Sequence, residues 1–218
     1  SGLKLNDWIN FWQKEKEILS YVSEYYGDNY RDDWLWGVIL PILSDIHTLK
    51  KSTNKRLVVG LSALPGTGKT TLGLLIERLS LKMNIKSSVV SIDDFYLPSS
   101  EMKIAIKDNP WNVSRGFPGS HSIYLIEESI LEWRSTGRFN YPVFDKSLRN
   151  GLGDRSCWKI DFPEILILEG WFLGVNQISS QMISSENVKP PLHTREIEYR
   201  SKIQKNLNEY LKIWQLIE

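Results

Sequence analysis

Residues 63–71 read Ala63-Leu64-Pro65-Gly66-Thr67-Gly68-Lys69-Thr70-Thr71, and those residue types at that spacing suit the holding of phosphate. Gly66 and Gly68 can take backbone angles closed to other residues, so successive N–H groups can turn inward around phosphate oxygens. A helix opening at Lys69 adds its positive end to the same place. Lys69 would reach the β- and γ-phosphates of a nucleotide, and the Thr70 hydroxyl would sit on Mg²⁺. The full contact set expected for the nucleotide is Pro65, Gly66, Thr67, Gly68, Lys69, Thr70 and Thr71. One departure from the usual pattern is Ala63, which stands where the first glycine would be.

Such a loop works only if a strand delivers it and a helix receives it. The apolar, β-branched run Leu57-Val58-Val59-Gly60-Leu61 predicts a strand buried on both faces. Leu72, Leu75, Ile76 and Leu79 then recur at helical spacing as one apolar stripe. Residues 87–93 (SSVVSID) and 164–169 (EILILE) predict two more strands, each closing on a carboxylate. Residues 122–136 predict a helix with Ser122 as N-cap and Gly137 just past its end, and 195–217 a final helix. The polar stretch 176–194 reads as a loop. Residues 4–50 read as helical, with Trp8, Phe11, Trp12, Ile18, Leu19 and Val22 at helical spacings and a second apolar segment interrupted by Pro41. These aromatics are read as packing residues rather than a cofactor site.

Strands alternating with helices predict an α/β fold, a P-loop nucleoside-triphosphate-hydrolase-like parallel sheet with helices on both faces and an N-terminal helical extension. The division expected is 1–55 for that extension, packed on the core, and 56–218 for the nucleotide domain. In such sheets ligands gather at the carboxyl ends of the strands. Asp93 stands there and could take a proton from an incoming hydroxyl; the plainer alternative is that Asp93 or Asp94 caps a turn. Glu169 could partner Mg²⁺ with Thr70, or could be a buried acid paired with Lys69 or an arginine. Arg115-Gly116-Phe117-Pro118-Gly119-Ser120-His121 is a glycine-punctuated loop opening a helix, which suits an anionic acceptor. The segments 141–147 (YPVFDKS) and 151–155 (GLGDR) read as two further charged loops.

Composition narrows the class. Lys and Arg total 27 against 26 Asp and Glu, a net charge of +1, which argues against nucleic acid as partner. No apolar run has the length of a membrane span and no export leader opens the chain, so no membrane partner and a cytoplasmic location are expected. Cys157 is the one cysteine, which precludes an internal disulfide. His47, His121 and His193 lack metal-ligand spacing. Ser1-Gly2 reads as a foreign leader.

Taken in order, GLSALPGTGKTTL, SIDDFYL, RGFPGSH, PVFDKS, GLGDR and LEGWFLG resemble the plant-type D-glycerate 3-kinases and their bacterial and fungal relatives. That family sits within the P-loop kinases that include uridine kinase, pantothenate kinase and phosphoribulokinase. The resemblance covers residues 57–175 and implies ATP-dependent, Mg²⁺-assisted phosphorylation of the 3-hydroxyl of D-glycerate. It implies Asp93 as base with Lys69 on the phosphates, and Glu169-Gly170 beside the phosphate loop. By the same match Arg115, His121, Asp145, Lys146 and Arg155 form the acceptor site, with Asp94 and Tyr96 counted beside them. Ser122 and Phe117 depart from the family pattern, and the family continues beyond Glu218, so a longer protein is expected. The alternatives left open are a sister kinase for pantothenate, uridine or a sugar phosphate, and a regulatory protein that holds ATP without chemistry. A carboxylic acid would need Arg115, Lys146 or Arg155; a nucleoside would need a stacking pocket.

Overall fold

The computed structural model describes residues 35–177 and 190–218, together with Lys4, Asn6, Asp7, Ile9, Asn10, Ser23 and Gly27. The helical aromatics expected from Trp8 to Val22, and positions 178–189 of the expected polar loop, lie outside the described residues. The chain divides into two compact units, one of Ser1–Val90 with Phe162–Trp171 and Glu218, the other of Ser91–Asp161 with Phe172–Ile217.

The first unit is built on three strands, β1 (Leu57–Ser62), β2 (Ser87–Ser91) and β5 (Ile165–Gly170), in the order β1-β5-β2. β1 and β5 run parallel, with Leu57 opposite Ile165 and Ser62 opposite Gly170. All six residues of β5 are buried, which is why its sequence shows an unbroken apolar run rather than alternation. α1 (Leu40–Ser52), preceded by a π-helical turn at Leu35–Ile39, and α2 (Lys69–Lys82) cluster with one face of the sheet. The expected stripe of Leu72, Leu75, Ile76 and Leu79 is buried in that cluster with Leu35, Ile39, Leu43, Ile165 and Ile167. Pro41 falls in the first turn of α1, where its missing N–H leaves no helical bond unmade, so it opens that helix rather than breaking it. α2 lies so close to β2 that a Cβ on Gly73 would stand 2.8 Å from Val89 Cγ1.

The second unit holds a 3₁₀ turn (Ile92–Phe95), α3 (Ser99–Ala105), α4 (Ile123–Thr136), an antiparallel hairpin of β3 (Phe139–Asp145) and β4 (Asp154–Asp161), and α5 (Thr194–Trp214). Gly137 ends α4 in the left-handed conformation, as its position predicts, whereas the Ser122 side chain makes no capping bond. The two charged segments are not separate loops as the sequence suggests: 141–145 and 154–155 are paired strand, and 146–153 turns between them. β4 is largely exposed and β3 carries Pro142, so neither shows the apolar alternation of a core strand. A register shift between Val143 and Phe144 bends the hairpin just before Asp145 and Lys146.

Candidate active site

In the first unit the phosphate loop joins β1 to α2. Gly66 and Gly68 have φ of 77° and 83°, which a side chain would strain, while a Cβ at either would meet nothing within 4 Å. Conformation, not crowding, therefore demands glycine here. Gly68 is the N-cap of α2 and offers no side chain to its first turn, so the N–H groups there are left for a ligand. Thr67 Oγ1 donates to the Leu64 carbonyl at 2.7 Å, and Lys69 Nζ donates to the same oxygen at 2.9 Å, which closes the loop and holds the ammonium over it.

The register of β5 places Glu169 beside Leu61, and the Thr70 hydroxyl donates to Glu169 Oε1 at 3.1 Å. Glu169 is 5% exposed, and its partner is Thr70 rather than Lys69 or an arginine. Among the described residues no group of three His, Cys, Asp or Glu side chains could cage a metal. One hydroxyl and one carboxylate at the mouth of a phosphate cradle are the hard donors that suit Mg²⁺, which keeps waters and phosphate oxygens as its other ligands.

The second unit carries a cluster around Asp93. The 3₁₀ turn after β2 is capped by Ser91 Oγ, which accepts from Asp93 N–H at 3.3 Å. Lys146 Nζ pairs with Asp93 Oδ2 at 2.8 Å, and His121 Nε2 faces Oδ1 at 3.8 Å. That second distance exceeds a hydrogen bond, so His121 acts on the carboxylate electrostatically. Burial works to raise the Asp93 pKa, but His121, Lys146 and the Tyr96 hydroxyl outweigh it and hold the carboxyl well below its usual range. Burial lowers the pKa of His121 against the pull of Asp93, which favours the neutral imidazole. Tyr96 stacks on His121 with ring centroids 4.5 Å apart, and a β-bridge joins the two residues. Burial and the neighbouring Asp93 push the Tyr96 phenol pKa up.

Asp94 accepts from Phe144 N–H at 3.2 Å, and its carboxyl pKa is raised, chiefly by burial. The bond fixes the bulge of β3 against the 3₁₀ turn. Two residues past the bulge the chain delivers Lys146 to Asp93. Arg155 Nε donates to the Tyr96 carbonyl at 3.1 Å. Arg115 Nη1 donates to the carbonyls of Gly151 and Leu152 at 3.0 and 3.1 Å, with its guanidinium 5.9 Å from the Phe144 ring centre. Asp145 turns to Ser147, accepting from its N–H at 2.8 Å and its hydroxyl at 2.6 Å. Asp93, Tyr96, His121 and Lys146 are thus brought together, Asp94 and Arg155 are tied to them through backbone, and Arg115 and Asp145 bond to the hairpin turn. Sequence reading missed Tyr210 on α5, whose hydroxyl lies 2.8 Å from His121 Nδ1. An aromatic on the buried stripe of an amphipathic helix carries no signal that marks it for anything but the core.

A strand, a glycine loop and a Lys-Thr helix start, with an acid ending a neighbouring strand, define the P-loop nucleotide-binding class. No protein-family model matches the chain. It is 33% identical over 170 residues to the chloroplastic D-glycerate 3-kinase of Arabidopsis thaliana, covering 72% of this chain and 35% of that protein. It is 33% identical to the probable ATP-dependent kinase TDA10 of Saccharomyces cerevisiae, covering 76% of this chain and 57% of that one. A solved D-glycerate 3-kinase from Cryptococcus neoformans shares the fold with a TM-score of 0.64 and 24% identity, over 95% of this chain and 70% of that structure. The chain belongs to the P-loop kinase family that contains the plant-type D-glycerate 3-kinases and their fungal relatives. It spans about a third of the plant relative and 57% of the yeast one.

Proposed function

We propose that the protein is an ATP-dependent kinase of small molecules and that its acceptor is D-glycerate, phosphorylated on the 3-hydroxyl. The observation that carries this reading is Asp93, two residues past the end of β2, held ionised against burial by Lys146. The resemblance to D-glycerate 3-kinases supports the acceptor.

In this reading the backbone N–H groups from Gly66 to Thr71 and the Lys69 ammonium hold the triphosphate of ATP, and Thr70 with Glu169 would hold Mg²⁺. When bound, that ion neutralises charge developing on the phosphate oxygens. Asp93 accepts a hydrogen bond from the acceptor hydroxyl and so orients its lone pair for in-line attack. A carboxylate this acidic is a weak base, so the proton passes to it late, as the new O–P bond makes the hydroxyl acidic and the bond to the departing ADP breaks. Lys146, Arg115 and Arg155 supply the positive charge a carboxylic acid needs, and no metal need touch the acceptor's carboxylate.

The test is an ADP-release assay of the intact protein with ATP, Mg²⁺ and a panel of D-glycerate, pantothenate, uridine and sugar phosphates, with the product identified by phosphorus NMR. Formation of 3-phosphoglycerate is expected. Turnover of another acceptor with none of glycerate replaces the substrate; ATP binding with no phosphorylated product from any acceptor replaces the kinase with a regulatory nucleotide binder.

A further inference from the structure

Tyr210 is fully buried on α5 and lies 89 residues from His121 in sequence, outside every motif that marks the site. Its hydroxyl stands at a junction: Gly119 N–H donates to it at 3.0 Å, and His121 Nδ1 lies 2.8 Å away. The Gly119 amide can only donate, so it takes one lone pair of the phenol oxygen. The contact with His121 is then either O–H to a bare Nδ1 or Nδ1–H to oxygen. The second arrangement leaves the buried phenol proton without an acceptor and turns the lone pair of Nε2 toward the Asp93 carboxylate, two unfavourable outcomes at once. Ser120 does not offer a way out. Its hydroxyl proton goes to the Phe117 carbonyl at 2.6 Å and one lone pair to Gly116 N–H at 3.3 Å, so at 3.5 Å it could only accept from Nδ1, which still leaves the phenol proton without an acceptor. The first arrangement satisfies Gly119 N–H, the phenol and Nδ1 in series, and it puts the imidazole proton on Nε2, where it faces Asp93 Oδ1 at 3.8 Å.

Nε2 is buried and has no hydrogen-bond partner among the described residues, and Asp93 Oδ1 is the carboxylate oxygen it faces. The geometry points to Tyr210 as a positioning residue: it locks His121 in the tautomer whose Nε2–H is turned to Asp93, and so fixes the carboxylate between that dipole on one oxygen and Lys146 on the other. Tyr210 itself touches no reacting atom. Packing holds the lock in place, since the Tyr210 ring meets Phe172 at 5.1 Å and Trp214 at 5.6 Å between centroids. The inference rests on the reading of Asp93 as the residue that receives the acceptor's hydroxyl, but the lock can be tested without it.

Nitrogen-15 NMR of His121 in the intact protein, with no substrate present, should show a protonated Nε2 and a bare, hydrogen-bonded Nδ1; the opposite tautomer overturns the lock whether or not the protein is a kinase. In turnover of the acceptor, Y210F should lower kcat about tenfold, the effect of one lost orienting hydrogen bond, and leave KM for ATP within about twofold. Glutamine at position 121 places an amide donor near the Nε2 position without needing Nδ1. In the H121Q background, therefore, the Y210F effect should vanish. An undiminished effect there means that Tyr210 acts by another route and overturns the inference. Should Y210F fail to fold, the NMR of the unaltered protein still decides.

Discussion

Asp93 joins two opposing demands: it is partly withdrawn from water and yet must stay ionised. Lys146 at 2.8 Å resolves the conflict, and this gives a pH signature. The folded pKa lies below the unfolded value of about 3.9, so the stabilisation is complete above that pH and is lost as pH falls below it. Lys146→Met should raise the folded pKa, and the acid limb of kcat should move to higher pH with it. A pH–rate profile checks this; an unmoved limb would assign the low pKa to other neighbours. His121 has the same sign at a higher pH. Its folded pKa is depressed by burial, so stability is full above the ordinary value of 6.5 and declines as pH drops through the window beneath it. Denaturant titrations of H121Q should lack that upper part of the acid decline. Asp93→Asn should lower kcat by about 10² to 10⁴ while leaving ATP affinity nearly intact, because the role proposed for the carboxylate lies in the transition state.

At the scale of elements, the glycines of the hairpin turn and of α2 separate conformation from crowding. Gly151 and Gly153 both have positive φ, 87° and 79°, but a Cβ on Gly151 meets nothing within 4 Å, whereas one on Gly153 would collide with the Phe144 ring. Gly151→Ala should therefore cost about 1 kcal/mol of backbone strain alone. Gly153→Ala adds displacement of Phe144, whose ring packs edge-on to Tyr96 at 5.0 Å and whose N–H binds Asp94. It should destabilise by about 1–3 kcal/mol more and raise KM for the acceptor; equal effects of the two substitutions in thermal melts and kinetics would refute the distinction. In α2 the favourable helix propensity of alanine opposes the clash with Val89 at Gly73. Val89 is β-branched and stiff, so the clash wins, and Gly73→Ala should lower the melting temperature.

At the scale of the whole molecule, the residues proposed for nucleotide and for acceptor fall in different compact units, Lys69, Thr70 and Glu169 in the first and Asp93, His121 and Lys146 in the second. Substitutions should therefore separate by ligand. An ATP analogue at 100 times its Kd should stabilise the protein by about 2.7 kcal/mol. Thermal melts should show that shift abolished by Lys69→Ala and retained by Asp93→Asn; loss in both would mean that Asp93 serves the nucleotide.

The local chemistry of this chain was written in its sequence because it depends on neighbours. Glycine at two left-handed positions, Lys-Thr at a helix start and a helical stripe from Leu72 to Leu79 are set by spacings of a few residues, and β5 was readable because burial on both faces leaves an unbroken apolar run. The hairpin was not readable. One of its strands, β4, is largely exposed, the other contains proline, and pairing across an eight-residue turn obeys register rather than periodicity. The partners of the charged groups were likewise decided by the tertiary structure. Thr70 reaches Glu169 across 99 residues, Lys146 reaches Asp93 across 53, and Tyr210 reaches His121 across 89. Sequence names the groups able to carry charge and protons, but contacts between distant segments set their pKa values and tautomers, and only the folded chain brings those segments together.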